Sequence, residues 1–147
     1  MALLKISDLS VGDWVMVNGR PRKISVLAEV WNGSNEVLVG YVVHVNSNGY
    51  NLVFYKPIEH VKPVPITAEI LEKNGFTRGQ RGDFFHYHRL DKNRTLYIHA
   101  STNGWRVEVT YDAAGILRTT HLMHDMNGVH DLQHALRLAG VDKEINL

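Results

Sequence analysis

The sequence predicts an α+β protein. A small SH3-like β-barrel spans residues 1–62, and a helix, a four-stranded antiparallel meander and a second helix span residues 63–147. Three observations predict it. Short apolar runs separated by turn residues fill the first half. The seam Val61-Lys62-Pro63-Val64-Pro65-Ile66 then interrupts that texture with two prolines. Beyond it lie a capped helical segment, strands at hairpin spacing, and a stripe at helical spacing, Val129, Leu132, Leu136 and Ala139.

The elements follow in order. Asp8-Leu9-Ser10-Val11-Gly12-Asp13 reads as a turn into a strand that starts at Trp14. Asn18-Gly19 supplies the positive φ angles of a tight hairpin. Further strands are expected at 22–31, 36–45, 50–55 and 58–62, separated by Asn32-Gly33-Ser34-Asn35, Asn46-Ser47-Asn48-Gly49 and Lys56-Pro57. Five short strands with tight turns suggest a strongly bent barrel. Trp14, Trp31, Tyr41, Tyr50, Phe54 and Tyr55 are a candidate aromatic face, although most are expected to fill the barrel or cap its ends.

Thr67 is a good N-cap for a helix of about two turns, and Asn74-Gly75 is its stop. Strands are expected at 83–90, 95–100, 105–111 and 116–121. The last helix is expected over 129–139, with Asn127 as candidate cap and Gly140 as stop. His130, in its first turn, is expected at the rim of the buried stripe with its ring partly buried.

Of 147 residues, 44% are apolar, enough for a real core, and 21% are charged. A chain of this size folded as one unit buries roughly 68–70% of its unfolded surface. Either half alone is marginal, so the halves are expected to support one another and unfold together. Net charge is +1, and residues 66–147 carry ten Lys/Arg against ten Asp/Glu. That balance argues against nucleic-acid binding through bulk charge. The absence of cysteine excludes disulfides, thiolate metal sites and cysteine nucleophiles. No stretch approaches 18 apolar residues, so a cytoplasmic protein without membrane contact is expected.

Two stretches resemble a family of small uncharacterised proteins of Bacteroides-type bacteria and their prophages and mobile elements. One is Ile58-Glu59-His60-Val61-Lys62-Pro63-Val64-Pro65-Ile66-Thr67-Ala68-Glu69-Ile70-Leu71-Glu72-Lys73-Asn74-Gly75-Phe76. The other is Val129-His130-Asp131-Leu132-Gln133-His134-Ala135-Leu136-Arg137-Leu138-Ala139-Gly140. The opening Leu9-Ser10-Val11-Gly12-Asp13-Trp14-Val15 is similar too. The resemblance implies a bacterial host or phage-associated setting and a shared fold. It implies no activity and no cofactor.

Three constellations carry candidate chemistry. Nine histidines stand out. His86 and His88 alternate on a strand, and so share a face. His130 and His134 lie four apart on a helix. With His121, His124 and Asp125 they are weak candidates for a divalent metal site, since no His-Glu-x-x-His or other full motif is present. The stretch from Arg78 to Arg94 interleaves cations with aromatics. Arg78, Arg81, Phe85, Tyr87, Arg89 and Arg94 could grip single-stranded nucleic acid or a nucleotide. The balanced charge favours an ordinary amphipathic hairpin instead. Serines 7, 10, 25, 34, 47 and 101 lie in turns or strands, and none sits in a nucleophile elbow.

The first expectation is therefore a non-enzymatic accessory protein of a phage or mobile element, contacting a protein partner or itself. The alternatives are a nucleic-acid or nucleotide binder using the 78–94 hairpin, and a histidine–metal hydrolase.

Overall fold

The computed structural model of the chain describes residues 3–30, 36–44, 51–80 and 85–147. The expected strands at 22–31, 36–45, 50–55 and 83–90 each run partly outside the described residues, as do Trp31, Tyr50 and Arg81. The chain divides into two units, residues 1–64 and 65–147. It is α+β, with two antiparallel sheets and two α-helices.

In the first unit, β1 (Trp14–Val17) and β2 (Arg20–Val30) form a hairpin about Asn18 and Gly19, both at positive φ. β3 (Glu36–His44) pairs with β2, and β4 (Asn51–Pro57) pairs with β3. A 3-10 turn, Ile58–His60, leads into β5 (Val61–Pro63), which returns to pair with β1. The strand order is β4-β3-β2-β1-β5, so β4 and β5 are the two ends. The expected barrel closure is not made, because the end strands do not pair with each other. Alternation on β1 turns Val15 and Val17 into a core with Leu9, Ile24, Val39, Tyr41 and Val61. The ladder shifts register between Ile24 and Val26, where the Ser25 hydroxyl donates to the Gly40 carbonyl (3.2 Å).

The second unit opens with α1 (Ala68–Lys73), whose Thr67 Oγ1 accepts the Ile70 N–H (3.2 Å). Gly75, at φ +81°, ends it. The sheet has five strands where four were expected: β6 (Thr77–Arg78), β7 (Phe85–Arg89), β8 (Arg94–Ser101), β9 (Gly104–Ala113) and β10 (Ile116–Met126). They form an uninterrupted antiparallel meander. The extra strand β6 is only two residues long, too short to leave a period in the sequence. β10 runs five residues beyond its expected end, through two register shifts that no alternation announces.

α2 (Val129–Leu138) starts from Gly128, not from a side-chain cap at Asn127. Instead the Asp131 carboxylate accepts the Asn127 N–H (2.8 Å), placing a negative group in the first turn. Its buried face is wider than the expected stripe and includes His130, Gln133 and Ala135.

Cross-strand register assigns the two faces of this sheet. His86 lies opposite Ile98, His88 opposite Leu96, and Ile98 opposite Val107. Leu96, Ile98 and Val107 are fully buried, so this is the core face. The same ladders put Phe85, Tyr87, Tyr97, His99, Glu108 and His121 on the opposite face, where none is fully buried.

Candidate functional site

The open face of the second sheet gathers residues from four strands. Phe85 and Tyr87 stand on β7, opposite His99 and Tyr97 on β8. Phe85 meets Tyr97 edge-on (centroids 5.9 Å) and Tyr87 meets Tyr97 at 6.3 Å, giving one continuous aromatic strip. Gly79 makes room for it, since a Cβ there would lie 2.4 Å from Phe85 Cζ. Beside the strip, the Glu108 carboxylate bridges two imidazoles. His99 Nε2 is 2.8 Å from Oε1, and His121 Nδ1 is 3.2 Å from Oε2. His124 stacks on His121 at 5.4 Å. Arg106, opposite His99, is exposed. Tyr97, Arg106 and Glu108 were not singled out from the sequence. Only strand parity across three strands brings them together with Phe85 and Tyr87.

The basic–aromatic candidates separate. Phe85 and Tyr87 share the open face. Arg78, opposite His86, belongs by register to the core face, at the exposed rim. Arg89 turns back on its own hairpin, donating to the carbonyls of Asp91 (3.3 Å) and Lys92 (3.1 Å). Arg94 Nε donates to Asp91 Oδ2 (2.6 Å). Arg81 lies outside the described residues. Asp91 also accepts the backbone N–H groups of Asn93 and Arg94, both at 2.9 Å. The Asn93 bond first, and then the Arg94 guanidinium, hold its carboxyl below the ordinary Asp range.

The histidine candidates also scatter. His86 is 4% exposed, with Nε2 3.4 Å from Glu72 Oε1 on α1. His88 Nδ1 reaches the Gly75 carbonyl at 3.3 Å, and its ring meets Phe76. His121 and His124 belong to the open face or its margin. His130, expected at a rim, is 1% exposed; its Nε2 is 3.4 Å from Asp131 Oδ1 and its ring meets His134 edge-on. The reason is the wide buried face of α2, which takes in its second residue. Among the described residues, no three His, Asp or Glu side chains are grouped to hold a metal ion.

The first unit presents a different feature at β4. Leu52, Val53, Phe54 and Tyr55 are 49%, 42%, 45% and 48% exposed. Phe54 stacks on Tyr41 across the ladder, and the Tyr55 ring lies over Gly40, but neither is enclosed. Both belong to the candidate aromatic face, most of which was expected to fill the barrel or cap its ends. The open sheet leaves them on an end strand instead. Lys56 closes this apolar run. With Met16, Asn18, Gly19, His60 and Lys62 it lines a cavity of about 360 Å3. No described helix is long and apolar enough to cross a membrane.

The chain matches no family model, no curated protein and no solved structure.

Proposed function

We propose that this chain is a non-enzymatic binding protein acting through protein contact, in the cytoplasm of a bacterium hosting a phage or mobile element. The β4 edge is the contact surface in this reading. The observation that carries it is the run Leu52–Tyr55, four consecutive apolar residues exposed at the end of a sheet. An end strand offers a row of unpaired backbone groups, and proteins usually guard such strands with charge, proline or a bulge. Here proline and charge come only after the run, at Lys56 and Pro57. A partner's extended strand adds to such an edge through main-chain bonds, and alternate side chains give it selectivity. The strand order β5-β1-β2-β3-β4, with a 3-10 turn before β5, supports an open relative of the SH3-like barrel. The occupant in this reading is a negatively charged segment of another protein. A second copy's β4 fits less well, because Asn51–Pro57 brings a lysine and no carboxylate.

A photo-crosslinking residue at Val53, compared with one at exposed Glu69 in the host cell, tests this. The expected result is a discrete adduct with another protein from position 53 alone. Adducts only between copies of the chain, or identical patterns from both positions, would sink it.

A second reading is favoured by the strip Phe85–Tyr97–Tyr87 with Arg106 beside it. Stacked bases and a phosphate contact would suit single-stranded nucleic acid. It ranks lower because Arg89 and Arg94 are engaged in their own turn. Anisotropy titrations with single-stranded DNA and RNA at low salt decide it, and binding unchanged by Tyr97→Ala and Arg106→Ala would remove it.

A further inference from the structure

We propose that the cavity at the end of β4 is an oxyanion site for a phosphate-type dianion. Its walls come from five parts of the first unit, near residues 16–19 and 56–62. Met16 belongs to β1, Asn18 and Gly19 to the β1–β2 turn, Lys56 to β4, His60 to the 3-10 turn and Lys62 to β5. The cavity therefore spans both open ends of the sheet, where β4 and β5 fail to close a barrel.

The charge around it is one-sided. Two ammonium groups and an imidazole line the space, and no carboxylate does. Lys56 is half-buried, and neither it nor Lys62 has an ion-pair partner among the described residues. The neighbouring acid, Glu59, is exposed and lies 3.5 Å from His60 Nε2. Two other cations of this unit are engaged elsewhere: Arg22 sits over the Tyr41 ring at 5.6 Å and Lys23 over Trp14 at 5.9 Å. Like charges gathered around a partly desolvated space repel, and an anion bound there relieves that repulsion.

The turn adds neutral donors. No described protein group accepts the backbone N–H of Asn18 or Gly19. A positive-φ pair in a tight turn is the setting in which successive amides can serve an anion. Two lysines with a histidine match a doubly charged tetrahedral oxyanion better than a single carboxylate. A volume of about 360 Å3 holds a phosphoryl group with a small substituent.

The test is an amide-resolved NMR titration of the full 147-residue chain with sodium phosphate, ionic strength being held constant with chloride. Saturable shifts confined to residues 16–19 and 56–62 are expected, with Kd on the order of 1 mM. The double variant Lys56→Met/Lys62→Met should keep a dispersed spectrum and weaken binding at least about tenfold, as the loss of charge-assisted bonds requires. Phenyl phosphate and an oligothymidylate separate the sources. Equal affinity for phosphate and phenyl phosphate, with weaker binding of the diester, supports a monoester-type ligand. The proposal is overturned by shifts that grow linearly without saturating, by shifts reproduced by chloride, or by tighter binding of acetate or succinate than of phosphate. Saturable phosphate binding unchanged in the double variant also overturns it. The titration needs no protein partner, so its outcome is independent of the β4 contact.

Discussion

Asn74 joins two distant parts of the second unit. It is 4% exposed, and its amide donates to the carbonyls of Ile70 and Asn146 while its Oδ1 accepts the Asn146 N–H, each at 2.8 Å. An Asn at a helix end reads from sequence only as a stop signal. Here it also holds the segment that carries buried Ile145. Asn74→Ala is expected to cost about 2–3 kcal/mol, because it orphans buried groups on both partners. Asn74→Asp keeps the acceptor but faces two carbonyls with a carboxylate, so it should be no milder. Urea midpoints measure both, and a parent-like Ala variant would refute the clasp. His86 points the other way. Its buried Nδ1 has no hydrogen-bond partner among the described residues, and Glu72, 48% exposed, can return to water. His86→Leu is therefore expected to stay within about 1 kcal/mol of the parent or to exceed it. A loss above about 3 kcal/mol would show that the imidazole has an essential partner.

Among the elements, the β7–β8 hairpin depends on one exposed carboxylate. Asp91 accepts two turn amides and the Arg94 guanidinium, which lower its pKa. A depressed carboxyl stabilises the fold above its unfolded pKa, about 3.9, and that contribution is lost as pH falls through the lower folded value. Asp91→Asn should accelerate amide exchange at Asn93 and Arg94 near neutral pH. The difference from the parent should close in acid, and a difference independent of pH would exclude the carboxylate as its cause. The same turn engages Arg89 and Arg94, so these two arginines complete the hairpin that displays the aromatics.

For the molecule as a whole, the question is whether each unit stands alone. Size by itself makes each half marginal. In residues 65–147, however, α1 is tied to the final residues by Asn74, by Lys73 Nζ donating to the Leu147 carbonyl (2.7 Å), and by Lys143 over the Phe76 ring (5.5 Å). We expect residues 65–147 expressed alone to give a dispersed amide spectrum and a cooperative melt. A broad, non-cooperative melt would favour mutual support of the two halves instead.

The sequence by itself determined features that depend on near neighbours. Thr67 caps α1, Asn18-Gly19 turns the first hairpin, and the stripe Val129, Leu132 and Leu136 is buried, because caps, positive φ angles and helical periodicity are short-range. Only the tertiary structure decided the rest. Whether five strands close is set by how the sheet ends meet, and β4 was left open with Phe54 and Tyr55 exposed. The bridge His99–Glu108–His121 joins three strands through register, and just past it the bulges of β10 shift the ladder where no alternation records it. The cavity at Lys56, His60 and Lys62 likewise draws on residues near positions 16–19 and 56–62. Charge so gathered is invisible in a chain whose net charge is nearly zero, because composition averages over the distances that govern electrostatics.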